Sequence, residues 1–291
     1  MTPLSGPALW WRLAVIGALW GSSFPLLRLV ANEMPPAALA TARGAFAALS
    51  VLLFLWATGA IKGWRQDLWR HALVIGSLNG WLPNVLTAIA MGSVESATAA
   101  LIQSATPLFV ALLVFLVLQG ERPGPRGWAG LLVGFAGILV IIGPAAFGGG
   151  ATVLGAACML ATALSYAAGT VYARWAQPGA AAPLAFGQQL VAALGAAVLS
   201  AGVDPLSAYA QPGWVWLVVL LLAAGASALP LTMFLALLQR ARATDAAMVG
   251  YLQPLFAGVI GALLLAELPE PRVVLGGAVV LAGVWLATSR R

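Results

Sequence analysis
Along the chain, apolar stretches of about twenty residues alternate with short polar breaks. Ten windows can be drawn: 10–31, 36–59, 70–91, 96–119, 126–143, 152–175, 181–202, 214–239, 244–266 and 271–288. Each is close to the ~20 residues that span a hydrocarbon core. Polar or turn-forming residues separate them, among them Asn32-Glu33-Met34-Pro35-Pro36, Gly148-Gly149-Gly150 and Gln177-Pro178-Gly179. The pattern predicts an all-α membrane protein of ten transmembrane helices, with no soluble domain in the loops. The first window lacks a small-x-small cleavage site and is expected to stay as a helix rather than act as a secretory signal. Residues 61–71 (IKGWRQDLWRH) read as an amphipathic connector lying on the membrane surface.

The chain also repeats itself. Residues 97–126 read ATAALIQSATPLFVALLVFLVLQGERPGPR, and residues 244–272 read TDAAMVGYLQPLFAGVIGALLLAELPEPR. Both carry Pro-Leu-Phe and then run apolar to Glu-x-Pro-x-Pro-Arg. Two copies, 1–147 and 148–291, each hold five windows, and Trp20-Gly21-Ser22-Ser23 aligns with Ser165-Tyr166-Ala167-Ala168. An odd number of crossings per copy turns the second copy upside down, the pattern of an inverted repeat.

Composition narrows the class. Charged residues make up 8% of the chain and mean hydropathy is +0.98, against about 25% charged residues in soluble domains. The net charge of +6 therefore points to basic loops at a membrane face rather than to nucleic acid. With the N-terminus inside, Arg12, Lys62, Arg65, Arg70, Arg122, Arg126, Arg174, Arg240, Arg242, Arg290 and Arg291 fall on the cytoplasmic side. Only Arg28 and Arg272 fall outside, so both termini are expected in the cytoplasm. Cys158 excludes an internal disulfide.

Candidate chemistry sits where the apolar pattern is broken. Pro83 cannot donate to the carbonyl of Asn79, and that carbonyl, the Asn79 and Asn84 amides and Trp81 share one depth of the third window. Pro107 frees the carbonyl of Gln103. Pro230 and Pro254 do the same for Ala226 and Gly250, with Tyr251 and Gln253 nearby. Groups released in hydrocarbon must face protein or a water-filled space, and interrupted helices in matching places of two halves point to a midplane site. Arg43 lies inside the second window opposite Gln188 of the other copy, and can bind a carboxylate, snorkel to headgroups or pin a carbonyl. Trp20 and Trp81 fall mid-helix; the other tryptophans sit at window ends or in loops, as interfacial belts do. No Asp or Glu falls mid-window, and no catalytic or metal-binding set can be drawn. No enzyme and no cofactor is expected.

Trp20-Gly21-Ser22-Ser23-Phe24, Arg43 and the Pro-Leu-Phe…Glu-x-Pro-x-Pro-Arg segments resemble EamA-type members of the drug/metabolite transporter superfamily. The resemblance implies ten helices in two inverted five-helix repeats around a central cavity, with helices three, four, eight and nine lining the centre. It implies a secondary transporter of the inner membrane that exports small metabolites. Aromatic or other apolar amino acids are the expected cargo, with other metabolites or aromatic cations as the alternative and a passive channel as the rival from another class. Substrate contacts are expected from Trp20, Arg43, Asn79, Trp81, Asn84, Gln103, Tyr166, Gln188, Tyr251, Gln253 and Phe256, and hinges at Pro83, Pro107, Pro230 and Pro254.

Overall fold
A computed structural model describes residues 7–60, 66–117, 124–142, 151–176, 181–238 and 249–288. The described residues form helices and turns, with no strand among them. In chain order the rods are α1 Pro7–Val30, α2 Pro36–Ala57, α3 Leu68–Met91, α4 Ser96–Leu116, α5 Pro125–Ile142, α6 Ala151–Ala176, α7 Ala181–Val203, α8 Gly213–Leu237, α9 Val249–Leu265 and α10 Pro271–Thr288. Seven are long and apolar enough to cross a membrane. Three apolar stretches, Pro125–Ile141, Leu252–Leu265 and Pro271–Gly283, are shorter.

Local chemistry sets the rod ends. Pro36, Pro125 and Pro271 stand at helix starts, where a missing N–H costs nothing and φ is already helical. Glu-x-Pro-x-Pro-Arg thus ends on the proline that begins the next helix; residues 121–123 of the first copy lie outside the described residues. Gly59, at φ +68, takes the left-handed position just after α2. The amphipathic connector survives only in part: Leu68–His71 are the first turn of α3, and 61–65 lie outside the described residues.

Helix partners follow the repeat. α2 packs on its own counterpart α7, and α5 on its counterpart α10. The α1–α9 contact is matched by α6–α4, and α3–α7 by α8–α2. The two self-paired contacts run antiparallel: Gly44 meets Ala193 while Ala40 clusters with Ala196, and along α5–α10 Gly134, Gly137 and Ile141 meet Gly283, Val280 and Gly276. Small residues let these backbones approach, as expected where lipid supplies no hydrophobic drive between helices. The outward faces carry large apolar side chains such as Leu132, Leu263 and Leu275. Trp10, Trp11, Trp56, Trp69, Trp128, Trp175, Trp214 and Trp285 are exposed near rod ends, consistent with belts. Trp216 differs. It packs edge-on against Phe46 at 5.9 Å, within the core.

A Cβ at Gly137 would lie 2.6 Å from the Val280 nitrogen, and one at Gly202 would meet nothing within 4 Å. Gly137→Leu should therefore lower the melting temperature in detergent, at a cost of about 1–3 kcal/mol or more for overpacking, while Gly202→Leu leaves it near the parent. Equal melting of the two variants would contradict the α5–α10 contact.

Candidate functional site at the bulged helices
Two rods change winding just before a proline. In α3, Ser77–Trp81 forms a π-helical turn ahead of Pro83; in α8, Ala224–Ala228 does so ahead of Pro230. The repeat predicts interruptions here, and the wider turn is the form they take. A π turn skips one ordinary i→i−4 bond and leaves carbonyls to be met from the side.

Side chains donate to carbonyls at both bulges, from neighbouring rods in α3 and from the bulge itself in α8. The Gln188 Nε2 of α7 donates to the Asn79 carbonyl at 3.2 Å, and the Ser165 hydroxyl of α6 donates to the Leu78 carbonyl at 2.6 Å. In α8 the Ser227 hydroxyl donates to the Leu222 carbonyl at 2.9 Å and accepts from Arg43 Nε of α2 at 2.8 Å. Arg43 and Gln188, counterparts in the repeat, thus reach the counterpart bulges of α8 and α3. Each bulge is held by a side chain of the opposite copy.

The charge of Arg43 has no carboxylate partner among the described residues. It is 8% exposed, and the titratable group that it feels is the Tyr166 phenol of α6. With Nε on Ser227, the two terminal nitrogens are left as a fork suited to an anion. Gln188 is 4% exposed, and its Oε1 and the Asn79 Oδ1 accept no hydrogen bond among the described residues. The Asn79 amide lies over Gly169, where an added Cβ would overlap it.

The other prolines behave differently from one another. α4 breaks at Ser104–Ala105, and the Thr106 hydroxyl donates to the Gln103 carbonyl at 2.7 Å ahead of Pro107. α9 instead runs unbroken through Pro254. Gln103 Nε2 donates to Gln253 Oε1 at 3.4 Å, joining α4 to α9. Asn84 is buried in α3. Trp81 is half-buried, with its indole over Gly195 of α7 and beside Val85 and Ala196. Trp20 packs at a tilt of 58° against Phe234, ring centres 5.0 Å apart, among Leu13, Ile16 and Leu237. Phe256 is half-buried where α9 crosses Gly21. The side chain of Tyr251 lies outside the described residues.

Ser227 and Ser165 are the residues that sequence reasoning passed over. Ser227 had a signal, as a lone hydroxyl three residues before Pro230 in an apolar run. Ser165 had none, because its partner carbonyl belongs to a distant rod. Among the described residues no group of three or more His, Cys, Asp or Glu could hold a metal ion.

A family model described as the EamA-like transporter family matches residues 9–143 and again residues 153–289. An uncharacterized transporter of Archaeoglobus fulgidus is 25% identical, over 96% of both chains. The uncharacterized inner membrane transporter YedA of Escherichia coli is 29% identical over 53% of this chain and 49% of its own. A riboflavin transporter of Rhizobium johnstonii is 32% identical over 45% of this chain and 46% of its own. A solved structure sharing 20% identity superposes with a TM-score of 0.67, covering 94% of this chain and 96% of that one. It shares the fold.

Ser227→Ala would leave the buried Arg43 Nε without its partner, at about 1–3 kcal/mol for an unmet buried group. Its melting temperature should fall, while Ser227→Thr stays near the parent. In a double-mutant cycle with Arg43→Gln the losses should be less than additive. Strict additivity would rule out the contact.

Proposed function
The chain belongs to the EamA-like transporter family, a family of multi-pass membrane transporters, and from that premise we propose that it exports small amphipathic metabolites bearing a carboxylate and an apolar or aromatic body. Aromatic and other apolar amino acids are the substrate class. The observation that carries this reading is Arg43, a buried cation without a counter-ion among the described residues, aimed by Ser227. A cation at membrane depth costs at least ~2.5 kcal/mol on the most lenient scale, a cost that a substrate carboxylate offsets on binding. The Asn79 and Gln188 amide oxygens are acceptors for the amino group. Tyr166 stands beside Arg43, and Trp20, Trp81, Tyr251 and Phe256 supply apolar surface, with Asn84, Gln103 and Gln253 as further polar contacts. The relative named a riboflavin transporter extends the class to neutral aromatic metabolites; the unpaired charge of Arg43 favours an anionic group.

All ten rods cross the inner membrane, in two copies spanning 1–147 and 148–291, with both termini cytoplasmic. Antiparallel packing of α2 on α7 and of α5 on α10 supports an inverted relation, since equivalent helices of parallel repeats would run the same way. Transport proceeds by alternating access, one copy rocking against the other about the bulges of α3 and α8. Pro83, Pro107, Pro230 and Pro254 are the hinges.

Proteoliposomes should show saturable counterflow of labelled phenylalanine. Losing a charged hydrogen bond of about 1.5–3 kcal/mol should raise KM by roughly 10- to 100-fold in Arg43→Gln, and phenylalanine amide should not compete. Unchanged KM in Arg43→Gln would overturn the carboxylate assignment, and flux without counterflow would indicate a channel.

A further inference from the structure
Away from the bulges, one ion pair ties four helix ends together. Arg28 ends α1, and its Nε lies 3.3 Å from Glu267 Oε1. Its Nη1 donates to the Met91 carbonyl, the last residue of α3, at 2.5 Å. Glu267 follows α9, and its Oε2 accepts the Ser96 N–H, the first of α4, at 3.0 Å. The pair thus joins α1, α3 and α4 of the first copy to α9 of the second. These are rods that must separate at this end if the two copies rock apart.

Exposed ion pairs contribute little, but this one is built in. The Glu267 side chain is 12% exposed, and each partner also holds a backbone group of a third or fourth rod. The residue before it, Ala266, has φ 54. A residue with a Cβ costs about 1–3 kcal/mol in the left-handed region and stays there only where its surroundings over-determine it. The contacts of Glu267 are such surroundings. Two more carboxylates crowd the same place: Glu95, just before α4, and Glu270. Burial and the charges of Glu267 and Glu270 push the Glu95 carboxyl up, and Arg28 pulls it down. Arg272 pairs with Glu270, so Arg28 is the cation that Glu267 and Glu95 share.

We propose that the Arg28–Glu267 pair is a latch that shuts this end of the transport path, and that breaking it is the step that opens α4 from α9. The proposal rests on the transport reading above. Ala97 lies one residue into α4, is 5% exposed and faces Gly258 of α9, so a cysteine there reports the seam under the latch. In a Cys158→Ser, Ala97→Cys background, the rate of modification by a bulky maleimide is measured in permeabilised cells, with folding checked by monodisperse elution in detergent. Labelling should be slow in the parent and at least about fivefold faster in Arg28→Gln and Glu267→Gln, while Arg28→Lys, which keeps a cation beside Glu267, should stay nearer the parent rate than Arg28→Gln. Should the single variants fail to elute as folded protein, Arg28→Gln with Glu267→Gln, which removes both charges of the pair, carries the same expected rise. Parent-like rates in the folded glutamine variants would overturn the latch, as would an Arg28→Lys variant that labels as fast as Arg28→Gln. Labelling needs no cargo. Absent phenylalanine counterflow with the expected labelling pattern would therefore sink the substrate reading and leave the latch.

Discussion

In hydrocarbon, a backbone carbonyl released from its helix has no water to turn to. The central rods of this protein are organised by that constraint. α3 and α8 each widen into a π turn before a proline, and a side chain of the opposite copy reaches each widening. Gln188 and Ser165 serve α3; Ser227, braced by Arg43, serves α8. The donors come from rods of the opposite copy, apart from Ser227 itself. Each copy is thus completed by the other, and the polar residues of the interior lie where the backbone needs them.

Such crossing contacts require close helices. Gly44 against Ala193 brings α2 onto α7, which sets Arg43 and Gln188 near opposite bulges. The glycine-lined α5–α10 pair packs against α4 rather than against the bulged rods. It serves as a brace between the copies. The arrangement leaves Arg43 with one nitrogen committed and, among the described residues, no carboxylate partner, so the contact that reaches α8 also leaves a feature suited to an anion. Structural and binding roles of Arg43 therefore share one geometry rather than compete.

At one end of the rods the logic changes from backbone rescue to charge. Glu267 opens Glu-x-Pro-x-Pro-Arg, a segment whose repetition reveals the duplication, yet its contacts run to Arg28 and Ser96, far away in the chain. The motif has two distinct physical parts. Its second proline starts a helix, and its glutamate bridges the copies.

Much of this was legible in the sequence. Apolar windows mark the rods because hydrocarbon demands about twenty such residues. Pro83 and Pro230 mark the interruptions because proline acts on its own helix, one turn back. Partners were not legible, since which side chain meets a freed carbonyl depends on which distant helix lies alongside. Trp81 reads as a midplane aromatic by position, and the tertiary packing lays it over Gly195. Pro107 and Pro254 occupy matching places, yet α4 breaks and α9 does not. The sequence by itself determined the helical membrane class, the duplication and the sites of bulging, all consequences of local chemistry. Only the tertiary structure decided that Gln188 and Arg43 hold opposite bulges and that Arg28 finds Glu267, because those pairings arise from helix-to-helix contact between the two copies.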